Sequence, residues 1–185
     1  MLLTKQYLNE MSVKMKFYDS LFEAKTEHDL YDVFISYSWN DRIYASKVAK
    51  LLESCGYKVY IDFKDQSLDR SNVNLKAVKI IAGMMDKCKS LIYLHSPSAS
   101  VSKWCPWELG YVSGKKKFKC LYLPLLDKQG EYFKNQEYLK IYPYGSYAKV
   151  EGKEVFEFWV NNQNNDKQYT TLKRWLNGGE LTLHK

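Results

Sequence analysis

The side chains able to do chemistry gather in two stretches of this chain. Ser36-Tyr37-Ser38-Trp39-Asn40-Asp41 is one, and His95-Ser96 through Trp104-Cys105-Pro106-Trp107 is the other. Both are rich in Ser, Trp, Asn and His, which bond hydroxyls and phosphates or stack on flat rings. Neither is a familiar phosphate cradle. The nine glycines form no GxGxxG and no GxxxxGK[ST], so a phosphate has to be held by helix N-termini and polar side chains. The four cysteines, Cys55, Cys88, Cys105 and Cys120, are widely spaced without a CxxC pair, and three histidines do not complete the ligand spacing of a zinc site. They read as free thiols of a reducing compartment, and no metal is expected.

The elements that must position these stretches follow from the apolar pattern. Asp32-Val33-Phe34-Ile35-Ser36 reads as a buried strand running into a helix N-cap, after which Tyr44, Val48, Leu51, Leu52 and Cys55 mark one helix face closed by Gly56. Tyr57 to Ile61 is a second strand, followed by a polar loop over 62–72 and a helix carrying Leu75, Val78, Ile81, Ala82 and Met85. Ser90 to Leu94 is a third strand, leading through a loop to a helix from about Trp104 to Val112 stopped by Gly114. Phe118 to Leu125, ended in part by Pro124, is a fourth, and Tyr138 to Tyr142 a fifth. Strands that are apolar on both faces and alternate with amphipathic helices imply a doubly wound α/β fold with a parallel sheet of about five strands. With the strand order 2-1-3-4-5, a ligand binds between the loops after the first and third strands, and those loops are the two stretches named above.

The flanks are simpler. Leu3, Tyr7, Met11, Met15, Tyr18 and Phe22 recur at helical spacing, so residues 1–30 form an N-terminal amphipathic helix. Residues 31–145 are the core of the domain. In 146–185 a dense cluster at Val155, Phe156, Phe158, Trp159 and Val160, then Tyr169, Leu172, Trp175 and Leu176, predicts two closing helices. A chain of 185 residues, 45% hydrophobic and 26% charged, is one folded domain and neither disordered nor fibrous. Repeats and low-complexity tracts are absent. No run nears the roughly 18 apolar residues of a membrane span and no secretory leader shows, so the expected compartment is the cytoplasm. The net charge of +7 is mostly dispersed lysine, and its one dense run, Lys115-Lys116-Lys117 with Lys119, reads as a solvated helix end complementing the dipole rather than a nucleic-acid contact.

A phospho-accepting receiver domain should show an acidic pair after the first strand and an aspartate after the third. Ser36-Tyr37-Ser38 and His95-Ser96 stand there instead. The segment from Ser96-Pro97-Ser98 to Ser102-Lys103-Trp104-Cys105-Pro106-Trp107-Glu108-Leu109, together with Tyr31-Asp32-Val33-Phe34-Ile35-Ser36-Tyr37, resembles the TIR (Toll/interleukin-1 receptor) domain family. The resemblance spans 31–144 and, weakly, Phe158-Trp159, which is similar to the family's C-terminal Phe-Trp box. It implies a flavodoxin-like fold in which many bacterial and plant members cleave NAD+ at the nicotinamide glycosidic bond. The family's catalytic glutamate, in an S-x-x-W-C-x-x-E-L segment, maps onto Glu108. The loop over 62–72 corresponds to the family's BB loop, which closes on the ligand or on a neighbouring subunit. It lacks the Arg-Asp-x-x-Pro-Gly of animal adaptors, which weighs against an adaptor role.

The chemistry is consistent with a single carboxylate. Nicotinamide leaves NAD+ as a neutral molecule and needs no proton, so the paired acids of a glycosidase are unnecessary. One carboxylate orients the ribose and stabilises the oxocarbenium-like charge. A helix starting near Trp104, with Pro106 in its first turn, places Glu108 toward the positive helix end. Candidates for holding the substrate are Ser36, Ser38, His95 and Ser96 through polar atoms, and Tyr37, Trp39, Phe63 and Trp104 through rings. Cys105 reads as packing. The resemblance implies an NAD+-consuming enzyme of the anti-phage sensor type that releases nicotinamide and makes linear, cyclic or conjugated ADP-ribose. NAD+ is its substrate and no further cofactor is expected. Self-association and a downstream effector that senses the product are the expected partners. A non-catalytic interaction module and a nucleoside deoxyribosyltransferase-like enzyme are the alternatives.

Overall fold

The computed structural model describes residues 2–15, 30–62, 75–117, 119–131 and 136–184. In chain order the elements are β1 (Leu3–Thr4), α1 (Lys5–Met15), β2 (Tyr31–Ser36), α2 (Arg42–Ser54), β3 (Val59–Tyr60), α3 (Leu75–Asp86), β4 (Cys88–His95), α4 (Pro97–Ser100), α5 (Trp104–Lys115), β5 (Cys120–Leu126), β6 (Tyr144–Lys149), β7 (Phe156–Asn162), β8 (Asn165–Thr171), α6 (Leu172–Leu176) and β9 (Thr182–Leu183). One mixed sheet runs β3-β2-β4-β5-β6-β7-β8-β9, with β1 added beside β5. Its core, β3-β2-β4-β5-β6, is parallel, and β6 to β9 are antiparallel.

The alternation of side chains along a strand builds two apolar layers. Val33 and Ile35 of β2 face one way, into a layer with Val48, Leu51 and Leu52 of α2. Phe34 faces the other, with Ile81 and Met85 of α3 and Cys105, Leu109 and Val112 of α5. All seven residues of β5 are buried, as a central parallel strand covered on both faces requires. The expected order 2-1-3-4-5 is thus the order of the parallel strands.

Several elements differ from expectation. Residues Tyr138 to Tyr142 do not form the fifth strand: Glu137–Ile141 is a 3-10 turn, and the strand is Tyr144–Lys149. Pro124 does not end β5; it lies inside it, opposite His95. Along the other edge of β5 the neighbour changes from β6, at Tyr122, to β1, at Leu125, and a residue without an N–H is tolerated in that break. Gly114 does not stop the helix, which runs to Lys115 and turns at Lys117, where φ is 49°.

The two closing C-terminal helices are not formed either. Phe156–Asn162 and Asn165–Thr171 are the arms of a β-hairpin, and only Leu172–Leu176 is helical. Phe158 and Val160 point into the core at a spacing of two. An aromatic and β-branched run followed by Asn161-Asn162-Gln163-Asn164-Asn165 is a hairpin pattern, and it prevails over the helical spacing that Tyr169, Leu172 and Trp175 suggest.

Of the N-terminal helix expected over 1–30, the described residues show α1, and Leu3 lies not on it but in a short strand before it. Leu3 and Leu8 are 0% and 1% exposed. Burial of side chains of this kind contributes about 1.5–3 kcal/mol each, so Leu3 and Leu8 dock this segment into the domain core. Tyr18 and Phe22, assigned to the same face, lie outside the described residues.

The lysine run is engaged within the fold. Lys115 pairs with Asp86 at 2.8 Å, Lys116 reaches the carbonyls of Asp86 and Cys88, and Lys119 donates to the Trp175 carbonyl at 2.7 Å. None of the four cysteines is in a disulfide, and burial pushes the Cys88 thiol up to about 12 and Cys120 up to about 11.

Candidate active site

The carboxyl edge of the parallel sheet carries the site. β2 ends at Ser36, which is fully buried, and its hydroxyl donates to Glu108 Oε2 at 2.5 Å. Glu108 comes from α5 and is 0% exposed. α5 is fixed by Cys105, Leu109 and Val112, which sink into the apolar layer shared with Phe34 and α3, and by Ser102, whose hydroxyl accepts the Cys105 amide at 3.4 Å. The helix starts at Trp104, so Glu108 stands in its second turn. The helix dipole acts mainly within the first turn, so the Ser36 hydroxyl contributes more to holding this carboxylate than the helix end does.

Beyond Ser36 the chain stays extended through Ser38 and then makes a 3-10 turn over Trp39–Asp41 before α2. Trp39 is 56% exposed. The Arg42 guanidinium lies 5.1 Å from its ring and also donates to its carbonyl at 3.3 Å. Asp41 is buried and accepts the Ser96 hydroxyl at 2.5 Å. Ser96 follows β4 and caps α4 by accepting the Ala99 amide at 3.0 Å. His95, the last residue of β4, is buried with its ring 5.2 Å from that of Tyr93 and 6.3 Å from that of Tyr122. Trp104 is half-buried and meets Trp107 edge to face at 5.6 Å.

A fully buried carboxylate is costly unless hydrogen-bonded, and here it stands where an open α/β sheet binds its ligands. A family model described as the TIR domain matches residues 33–154 of this chain. The chain belongs to the TIR domain family. It is 31% identical over 172 residues to the "Probable 3' cyclic ADP-D-ribose synthase ThsB'" of Bacillus cereus (strain MSX-D12), covering 92% of this chain and 88% of that protein. It is also 26% identical over 84 residues to the "Putative cyclic ADP-D-ribose synthase TIR2" of Cytobacillus dafuensis, covering 44% of this chain and 22% of that one. Among solved structures, the TIR domain of the Toll-related receptor TRR-2 from Hydra magnipapillata aligns with a TM-score of 0.43 at 19% identity, covering 59% of this chain and 78% of the other.

Of the residues that the TIR resemblance and the loop positions single out, Ser36 and Glu108 are in direct contact. Ser38, Trp39 and Ser96 lie on the two loops at the same sheet edge, and His95 ends β4 beside them. Tyr37 is fully buried in the α2-side layer rather than open at the edge. Trp104 lies at the start of α5, and Phe63 lies outside the described residues. Asp41 is the addition. In the sequence it reads as the end of an N-cap run, and only the tertiary fold reveals that its side chain crosses to the loop after β4. Among the described residues no cluster of His, Cys, Asp and Glu could hold a metal ion, and no helix is long and apolar enough to cross a membrane.

Proposed function

We propose that this TIR domain protein cleaves NAD+ between nicotinamide and ribose and closes the ADP-ribosyl group into a cyclic product. The observation that carries this reading is the Glu108 carboxylate, fully buried at the carboxyl edge of the sheet and bonded by Ser36 at 2.5 Å. The 31% identity over nearly the whole length of a protein named as a 3' cyclic ADP-D-ribose synthase supports it.

In the reaction the bond from ribose C1′ to the pyridinium nitrogen breaks, and its electron pair leaves with the ring. Nicotinamide departs neutral, and positive charge develops on the ribose. Glu108 stabilises that charge and orients the ribose hydroxyls, while Ser36 holds the carboxylate in place. A hydroxyl of the adenosine half then bonds to C1′ and gives up its proton, which yields the cyclic product. Water in its place yields linear ADP-ribose. A group held near the cation outcompetes bulk water because its effective concentration is far higher. Trp39 and Trp104 supply faces for the flat rings of NAD+. Ser38 and His95 supply polar atoms for ribose and phosphate.

We also infer that the protein self-associates through its TIR domain, that an effector reads the product, and that the signal serves anti-phage defence. These roles rest on the likeness to the family. Incubating the pure protein with NAD+ and following nicotinamide and the ADP-ribosyl products by chromatography with mass detection tests the enzymatic reading. Product formation excludes the non-catalytic module, and nicotinamide release distinguishes the enzyme from a deoxyribosyltransferase.

A further inference from the structure

A second buried carboxylate stands at the same edge. Asp41 occupies the N-cap of α2, where an aspartate ordinarily accepts a first-turn amide in a bond worth about 1 kcal/mol. Here its side chain makes no capping bond. It is 2% exposed and instead accepts the Ser96 hydroxyl at 2.5 Å. Both the forgone cap and the buried charge cost stability, so the bond between the loops calls for an account in terms of what it holds.

What it holds is the segment 37–40. At one end Ser36 is tied to Glu108, and at the other Asp41 is tied to Ser96. Ser36 pairs in register with Tyr93. Ser96 is three residues further on, up to about 10 Å along the chain at strand rise. Trp39 therefore lies on a segment tethered at both ends by serine–carboxylate bonds, on a turn closed by the Asp41 amide donating to the Ser38 carbonyl at 2.8 Å. Lys5, from outside the family-matched region, is anchored beside α2. Its ammonium pairs with Asp127 at 2.7 Å and lies 5.5 Å from the Tyr44 ring centroid. The bond to Asp127 raises the Lys5 pKa against the opposing effect of burial, and the Asp41 carboxylate adds to the rise.

We propose that Asp41 is a positioning residue for the reaction: with Ser96 it clamps the loop after β2 to the loop after β4 and holds the Trp39 face at a fixed place for the substrate. The proposal rests on the reading of these loops as the NAD+ site. A clamp of this kind acts on binding more than on bond cleavage, because Glu108 is anchored separately through Ser36. The bond is also shared, so removing either partner undoes the same constraint.

The test uses the full chain with Asp41→Ala, Ser96→Ala and the double substitution, and with Asp41→Asn and Ser96→Thr as conservative variants. KM and kcat for NAD+ are measured per folded protein, and backbone amide exchange at 37–41 is followed without substrate. Each alanine variant is expected to raise KM five- to tenfold with kcat within threefold, and the double variant to be no worse than the worse single one. Exchange at 37–41 should quicken at least tenfold in all three, with β4 unchanged. Asp41→Asn keeps an acceptor oxygen and Ser96→Thr keeps the hydroxyl, so both should recover most of the lost affinity; if one alanine variant does not fold, the other tests the clamp through KM and exchange at 37–41. Additive effects of the two substitutions overturn the proposal, as do wild-type exchange at 37–41 or a loss confined to kcat. If the wild type does not turn NAD+ over, the enzymatic reading fails separately, and the exchange data alone decide whether the clamp exists.

Discussion

Removing the Ser36 hydroxyl probes the site without touching its carboxylate. Ser36→Ala deletes one oxygen in a fully buried place and takes from Glu108 a donor at 2.5 Å. A hydrogen bond to a charged group contributes about 1.5–3 kcal/mol, against about 0.5–1.5 kcal/mol for a neutral pair. The unfolding free energy should therefore fall by about 2 kcal/mol, which for a domain of this size lowers Tm by roughly 4–8 °C. In a Glu108→Gln background the bond is neutral, and the same Ser36→Ala change should cost only about 1 kcal/mol. Urea unfolding of the four proteins in this cycle measures the coupling, expected near 1 kcal/mol. Activity should fall with it: if the lost bond also orients the carboxylate in the transition state, 2 kcal/mol corresponds to roughly thirtyfold in kcat. Equal costs of Ser36→Ala in both backgrounds would refute the reasoning, because Glu108 would then carry no charge for the hydroxyl to stabilise.

Other consequences are open to simpler assays. Trp39→Ala removes the exposed ring and should raise KM for NAD+ and shift the products toward linear ADP-ribose, which mass-detected chromatography reads directly; an unchanged mixture removes Trp39 from the site. Specific activity should rise with protein concentration if neighbouring subunits complete the site, whereas strict proportionality over a hundredfold dilution of a monomer contradicts that role. Asp32 is subject to burial, which raises its pKa, but the Lys58 amide at 2.9 Å and the Lys89 ammonium at 2.8 Å outweigh it and hold the carboxyl below its ordinary range. A lowered folded-state value means that its contribution is present above the unfolded value and is lost as pH falls through the folded one. Asp32→Asn should therefore cost up to about 1 kcal/mol near pH 7 and flatten the loss of stability below about pH 4, and unfolding at pH 7 and pH 3 checks the sign.

The apolar strands were legible because burial on both faces leaves a continuous signal, as in β4 and β5, and the same reading placed the segments after β2 and β4 at one edge of the sheet. Glu108 was legible through the motif around Trp104 and Cys105. Its partner was not, since the Ser36–Glu108 contact joins residues 72 apart and depends on the sheet order. Asp41 was concealed for a similar reason: an aspartate before a helix reads as a cap until the loop from β4 is brought beside it. The C-terminal hairpin was lost to a competing signal, helical spacing at Tyr169, Leu172 and Trp175, although Phe156, Phe158 and Val160 alternate with a period of two. β1 has only two residues, and its pairing to the end of β5 follows from docking of Leu3 and Leu8 rather than from any local pattern.

The central claim, that one buried carboxylate cleaves NAD+, is tested most directly by nicotinamide release from wild type and Glu108→Gln at equal folded concentration. The substitution preserves shape and removes the charge. The account predicts that the wild type releases nicotinamide and that the variant, folded and of wild-type secondary structure by circular dichroism, loses at least a hundredfold in rate, a barrier change of about 2.7 kcal/mol. Release by the variant at near wild-type rate contradicts it.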